Sequence, residues 1–130
     1  MIIGIGHDIV QVDRVAAVLE GKAGKRFIER ILTECERALA EQYTGARLYQ
    51  FAAGRFAAKE AVAKAFGTGL GAVLSFTDIG LSKDALGKPQ CSLTERAWER
   101  LGLDANQVKL HVTITHEHHL ASAFAVVERL

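Results

Sequence analysis

The sequence predicts an α+β fold, in which an antiparallel sheet is wrapped around a long central helix. An alanine-rich segment with helical periodicity begins after Gly45 and ends at Phe66. The chain opens with a β-branched, apolar segment at 1–12 and closes with alternating segments at 108–115 and 120–128. Because a short turn joins the last two segments, they are expected to pair as antiparallel strands and to bury one face against the helix.

The composition is that of one folded domain, which we assign to residues 1–130. Hydrophobic residues make up 49% of the chain and charged residues 24%, which excludes a disordered chain. The net charge of +1 does not favour a nucleic acid partner, and no apolar run approaches the ~20 residues of a membrane span. The start has no basic signal-peptide region, and Cys35 and Cys91 have no CxxC partner. We therefore expect a cytoplasmic protein without a nucleic acid or membrane partner.

The central helix is predicted to have an apolar stripe and a face of small residues. At ~100° per residue, the stripe consists of Leu48, Phe51, Ala52, Val62 and Phe66. The second face consists of Ala53, Gly54, Ala57, Ala58, Ala61 and Ala65. Because these side chains have little bulk, either a neighbouring element or a ligand can approach closely there.

Four charged residues of this helix need partners or solvent. Glu60 and Lys64 are four residues apart and therefore adjacent, between the two faces. Arg55 and Lys59 lie along the apolar stripe, where a charge is costly unless the side chain snorkels or finds a partner.

A glycine cluster follows the helix, with Gly67, Gly69 and Gly71 around Thr68. Such a cluster either caps the helix or offers backbone N–H groups to a phosphate. It is neither a Walker loop nor a Rossmann fingerprint, because its glycines end a helix.

Capping patterns and periodicity predict the remaining elements. Asp13 is expected to cap a helix that carries Val15, Val18 and Leu19. Capping boxes are expected at Thr33 with Glu36 and at Ser92 with Glu95. A helix is predicted at 25–32 and strands at 73–82 and 90–93. Another helix is predicted to follow the second capping box and to end at Leu101.

Three groups of polar residues could carry chemistry, and each has a simpler explanation. Asp8 and Glu60 suit Mg²⁺, which prefers oxygen ligands, although Asp8 could also face water at a strand edge. His111, Thr113 and Thr115 share one strand face, which could line a phosphate or nucleotide site or face solvent. Five basic residues could dock an acidic protein or form a solvated surface: Arg14, Lys22, Lys25, Arg26 and Arg30.

Several motifs in this chain occur together in one family. They are GIGHDIVQVDR, RFIERILT, GRFAAKEAVAKAFGTGLG, LSFTDIGLSKDALGKP, and HVTITH followed by ASAFAVVERL. Over nearly its whole length the chain closely resembles the holo-(acyl-carrier-protein) synthases, the short type of 4′-phosphopantetheinyl transferase. The resemblance implies a trimeric enzyme of the 4′-phosphopantetheinyl transferase fold with sites between subunits. Such an enzyme uses CoA and Mg²⁺ to modify a serine of acyl carrier protein, releases adenosine 3′,5′-bisphosphate and supports fatty acid biosynthesis.

The same resemblance implies roles for the residues of the transfer centre. Asp8 and Glu60 would hold Mg²⁺, and together with Lys64 they would be the catalytic residues. Lys64 and Arg55 would face CoA phosphates. The base that activates the serine would be Glu60 or a water beside it.

Further residues match the family's cofactor and carrier regions. The cofactor loop would be shaped by Gly67, Thr68 and Gly69, and a neighbouring subunit would contribute a polar wall of His111, Thr113 and Thr115. Arg14, Arg26 and Phe27 match the region that docks the carrier protein.

His7 departs from the family pattern, since many relatives have Thr or an apolar residue there. In a regular strand its side chain points away from Asp8. The histidine-rich turn around His118 and His119 is interpreted as a solvated loop.

Two other functional classes remain open, namely a nucleotide-binding protein without transferase activity and a histidine-cluster metal hydrolase.

Overall fold

The computed structural model describes residues 1–130 and confirms the α+β class. Its strands are β1 (Ile2–Gln11), β2 (Ile79–Lys83), β3 (Pro89–Leu93), β4 (Val108–His116) and β5 (Leu120–Arg129). Its helices are α1 (Val12–Glu20), α2 (Gly24–Ile31), α3 (Glu34–Ala40), α4 (Gly45–Phe66) and α5 (Glu95–Leu101). Short 3₁₀ turns at Phe76–Asp78 and Ala105–Gln107 precede β2 and β4. None of the helices combines the length and the apolar character that a membrane span needs.

The strands form two antiparallel sheets, one of three strands in the order β1–β5–β4 and one of β2 and β3. The register places Asp8 of β1 opposite Ala123 of β5. Small buried residues of β5, namely Ala121, Ala123 and Ala125, lie on the inner face of the larger sheet, where α4 packs.

Backbone of β1 covers the small-residue face of α4. A Cβ atom at Gly6 would overlap the carbonyl oxygen of Ala61, and one at Gly4 would overlap that of Ala65. A neighbouring element therefore occupies this face in the structure. The close approach brings Asp8, two residues beyond Gly6, to the side of α4.

The capping box of α3 is confirmed. The Thr33 backbone N–H donates to Glu36 Oε1 at 2.8 Å, and the Glu36 N–H donates to Thr33 Oγ1 at 3.3 Å. Residues 108–115 alternate between buried or half-buried and exposed, as predicted, and a short turn leads into β5.

Three local predictions are wrong. Residues 73–78 form no strand, because the Asp78 carboxylate accepts from the Ser75 N–H and closes a 3₁₀ turn instead. Ser92 lies within β3, so Thr94 caps α5. Asp13 is exposed in the first turn of α1 and makes no cap, since the helix starts at Val12 and Gln11 occupies the N-cap position.

Candidate active site

Asp8, Glu60 and Lys64 lie together where β1 crosses α4. Lys64 Nζ donates to Asp8 Oδ1 at 3.0 Å and to the His7 carbonyl at 3.1 Å. The Asp8 side chain is 18% exposed and that of Lys64 is 50% exposed, so the pair is open to a ligand. Glu60 lies one helical turn before Lys64 on α4, as the spacing predicted.

The carboxylates of Asp8 and Glu60 interact electrostatically. Partial burial raises the pKa of Glu60, and the charge of Asp8 raises it further, while Lys64 opposes the shift. Two carboxylates that repel each other at the edge of a cavity suit a divalent cation, because its charge would remove the repulsion. The donor set therefore fits Mg²⁺, with Asp8 and Glu60 as protein ligands.

These residues share one cavity of about 450 Å³ with predicted docking residues. Arg14 of α1 and Phe27 of α2 line it beside Asp8, Glu60 and Lys64. Its apolar wall includes Val10, Val15, Val18, Phe27 and Phe56. The end of β1, the first two helices and the central helix α4 thus meet at one place.

Phe56 contributes to this wall and was missed by the sequence reasoning. Its ring lies 6.0 Å from that of Phe27 and 5.3 Å from that of Phe76. Its position one turn before Glu60 was the available signal, because residues four apart on a helix lie side by side.

Arg55 lies away from Lys64, in a second cavity on another side of α4. Its guanidinium lies 4.5 Å from the centre of the Phe51 ring, and only 6% of the residue is exposed. Its Nε has no hydrogen-bond partner, and burial lowers the pKa of Arg55. The cavity is also lined by Arg47, Lys83 and His116. Sequence reasoning did not place these three basic residues beside Arg55, because they come from three separate elements, α4, β2 and β4.

Lys59 does not snorkel but is fully buried with a partner. Its Nζ lies 2.6 Å from Glu36 Oε1, and the side chains are 0% and 2% exposed. Burial lowers the pKa of Lys59, and the charge of Glu36 opposes this shift. Of the two possibilities that the sequence left open for Lys59, the structure therefore shows the buried partner.

The row of His111, Thr113 and Thr115 lies on the outer face of the larger sheet. His111 Nε2 lies 3.0 Å from Glu128 Oε1, and this hydrogen bond lowers the pKa of Glu128. On the same face, the His7 ring stacks on Phe124 with 4.0 Å between centroids. His7 thus points away from Asp8, as predicted.

The glycine cluster acts as a helix cap in this structure. Gly67 has a φ of 79°, a left-handed conformation that favours glycine. The Gly67 N–H donates to Lys64 O, and the Thr68 and Gly69 N–H groups donate to Ala63 O. These three N–H groups therefore have internal partners and are not free phosphate donors.

Arg26 is exposed on α2, next to Phe27, which is half-buried. At the β4–β5 turn, the rings of His118 and His119 lie 6.5 Å apart, and His119 approaches Asp13 at 3.7 Å. No group of three or more His, Cys, Asp or Glu side chains converges in the way a protein-only metal centre requires.

Residues 4–123 match the family model of the 4′-phosphopantetheinyl transferase superfamily. The match includes the candidate carboxylates and the whole of α4. The chain belongs to this superfamily.

Comparison with individual relatives narrows the assignment within the superfamily. The chain is 44% identical over 130 residues to holo-[acyl-carrier-protein] synthase of Bacillus cereus, covering 100% of this chain and 98% of the relative. It is 45% identical over 133 residues to the Anoxybacillus flavithermus protein of that name, with the same coverage. Within the superfamily, the chain is thus a phosphopantetheinyl transferase of the holo-[acyl-carrier-protein] synthase family.

Solved structures agree with this assignment. The Bacillus anthracis holo-(acyl-carrier-protein) synthase in complex with CoA (3′,5′-ADP) has a TM-score of 0.85 and 41% identity, covering 100% of this chain and 99% of that one. The Helicobacter pylori synthase in complex with coenzyme A has a TM-score of 0.81 and 31% identity, with 95% and 99% covered.

Proposed function

We propose that this chain transfers 4′-phosphopantetheine from CoA to a serine of apo acyl carrier protein, requires Mg²⁺, and releases adenosine 3′,5′-bisphosphate. One observation carries the proposal: Asp8, Glu60 and Lys64 line a single cavity with Arg14 and Phe27. A charged centre for a pyrophosphate thus adjoins a surface suited to an acidic protein. The two proposed substrates are those in the names of similar proteins, namely acyl carrier protein and CoA.

Asp8 and Glu60 are proposed to hold Mg²⁺ through their carboxylate oxygens. The metal, when bound, would neutralise the pyrophosphate and stabilise charge on the leaving oxygen. Lys64 adds a fixed positive charge beside Asp8, where its amino group already lies. Glu60 or a water bound beside it takes the proton of the serine hydroxyl.

CoA is proposed to bind between two protomers. Arg55 lies in a different cavity from Lys64, so we assign them to the two sides of one bound CoA, contributed by neighbouring subunits. The unpaired Nε of Arg55 and the cations around it favour a phosphate. Gly67, Thr68 and Gly69 would shape the loop beside the cofactor. His111, Thr113 and Thr115 would contribute from the neighbouring subunit.

A trimer is proposed because the outer face of the larger sheet leaves several large apolar side chains exposed. Its exposed residues include Ile3, Ile5, Ile9, Leu120 and Phe124. An apolar face of this kind favours contact with further copies of the chain.

Acyl carrier protein is proposed to dock on α1 and α2. Arg14 and Arg26 are exposed there, and Phe27 supplies an apolar contact at the mouth of the cavity. Rim charges of this type mainly speed the encounter with an acidic partner.

Mass spectrometry of apo carrier protein after incubation with CoA and Mg²⁺ tests the function. We expect the carrier to gain one phosphopantetheine group, and EDTA to prevent this. Asp8→Asn removes one proposed ligand charge and should abolish transfer, whereas Asp104→Asn in the exposed turn before β4 should not. Binding of CoA without any transfer would instead support the non-catalytic nucleotide-binding alternative.

A further inference from the structure

The buried amino group of Lys59 joins three parts of the chain to α4. It donates to the Ile31 carbonyl at 2.7 Å, to Glu36 Oε1 at 2.6 Å and to the Phe76 carbonyl at 3.1 Å. These acceptors lie at the end of α2, in α3 and in the 3₁₀ turn before β2. Since an ammonium group has three hydrogens, all its donors have partners.

Glu36 extends this network to two further backbone groups. Its Oε1 also accepts from the Thr33 N–H at 2.8 Å, and its Oε2 accepts from the Leu81 N–H at 2.8 Å. Four elements are thus connected to one point of α4 by directional bonds: α2, α3, the 3₁₀ turn and β2.

Stability alone is a weak explanation for such a pair. Replacing a buried ion pair by apolar residues of similar volume is often neutral or stabilising, because desolvation offsets the Coulomb attraction. Directional bonds instead define where the connected elements lie. The residue after Lys59 is Glu60, and Ile31 ends the helix that carries Arg26 and Phe27.

We infer that Lys59 and Glu36 are positioning residues, which hold the docking helix α2 at a set place relative to the transfer centre on α4. Phe56 reinforces the connection, because its ring lies against both Phe27 and Phe76. This inference rests on the proposed function, in which α2 docks the carrier protein.

The test is the double variant Lys59→Met with Glu36→Gln, which removes both charges together and leaves neither unpaired. Gln can keep the capping box of α3. We expect the KM for carrier protein to rise about tenfold, a common size for coupling between sites, with the KM for CoA unchanged. Val112→Ala, a core change on β4, is the destabilised control and should leave both KM values unchanged.

Hydrogen exchange gives a second measurement that does not depend on activity. The Leu32 N–H donates to the Ile28 carbonyl at the end of α2, and it should exchange faster in the double variant. Amides of α1 should keep their rates. If the double variant does not fold, Glu36→Asp is measured in the same way, with the same expectations, because it keeps both charges and only withdraws the carboxylate from its partners.

Two outcomes would overturn the inference. One is a fall in kcat alone with unchanged KM values, as expected from a smaller active fraction. The other is unchanged exchange at the end of α2 in a folded variant. If the wild-type protein transfers nothing, the proposed function fails, while hydrogen exchange still decides whether the pair positions α2.

Discussion

Lys64 of α4 donates a hydrogen bond to Asp8 of β1 at 3.0 Å, so a cation already occupies one of the carboxylates proposed to hold Mg²⁺. Binding of a metal ion by Asp8 therefore has to compete with this ion pair. Removal of the Lys64 charge is therefore expected to strengthen Mg²⁺ binding and to weaken catalysis.

Lys64→Met should tighten Mg²⁺ binding to the CoA-free protein, because it removes the competing cation. The same variant should lose transfer by about 100-fold, the cost of deleting one preorganised charge contact. Calorimetric titration of Mg²⁺ and steady-state kinetics measure the two effects. Lys88→Met, in the exposed β2–β3 turn, is the matched control and should change neither. Weaker Mg²⁺ binding in Lys64→Met would contradict the competition.

Glu60→Gln should raise the midpoint of thermal unfolding at neutral pH without metal. Burial, and then Asp8, raise the pKa of Glu60, so the folded chain binds this proton more tightly than the unfolded chain. The corresponding stabilisation is present at low pH and is lost as pH rises through the folded pKa. Gln stays uncharged throughout and avoids that loss.

Transfer by Glu60→Gln should fall by more than about 100-fold. In the wild type, the Mg²⁺ concentration for half-maximal transfer should increase at mildly acidic pH, because the proton competes at Glu60. Glu99→Gln on the exposed side of α5 is the control and should change neither the unfolding midpoint nor the transfer rate. A lower unfolding midpoint for Glu60→Gln would argue against repulsion between the carboxylates.

Ile5→Arg should dissociate the proposed trimer, because it places a charge in the exposed apolar face where Ile5 is 63% exposed. The mass measured by light scattering should fall from about three times the 14.1 kDa chain mass to that of a smaller species. Transfer should fall with it, since Arg55 of a neighbouring subunit would be lost from the site. Leu86→Arg is the control, because Leu86 is 95% exposed at the tip of the β2–β3 turn. A monomeric wild type with full activity would exclude a shared site.

Arg14→Glu should raise the KM for carrier protein and flatten its dependence on salt. Arg14 is exposed at the cavity shared with Asp8, where its charge attracts an acidic partner until salt screens it, with a Debye length of ~10 Å at 0.1 M. Phe27→Ala should raise the same KM without changing the salt dependence, because it removes only apolar contact. Kinetics at low and high salt separate the two. A change in the KM for CoA alone would mean that the docking surface lies elsewhere.

Gly6→Ala should destabilise the fold by about 3 kcal/mol or more, because its Cβ would overlap the Ala61 carbonyl and push β1 away from α4. Gly71→Ala is the matched control, since a Cβ there meets nothing within 4 Å. Denaturant unfolding of both variants measures the difference. Equal effects would show that β1 can shift without cost.

Local sequence patterns determined the elements and the side of each that is buried. The alternation of β4, the Thr33–Glu36 capping box and the adjacency of Glu60 and Lys64 depend on residues only a few positions apart. Dihedral preferences and short-range hydrogen bonds decide such features, so they could be predicted. Where two local patterns competed, as at 73–78, the prediction failed because the Ser75–Asp78 bond closed a turn.

Tertiary structure decided which charges meet. Asp8 and Lys64 are 56 residues apart in sequence, Glu36 and Lys59 are 23 apart, and the basic cavity around Arg55 takes residues from two further elements, β2 and β4. The family motifs pointed to Asp8 and Glu60, but no local periodicity encodes where separate elements cross. Whether Lys59 would snorkel or find a partner, and that Arg55 lies apart from Lys64, followed only from the packing of β1, α2 and α3 around α4. A charge on a buried helix takes whatever partner that packing brings within hydrogen-bond distance.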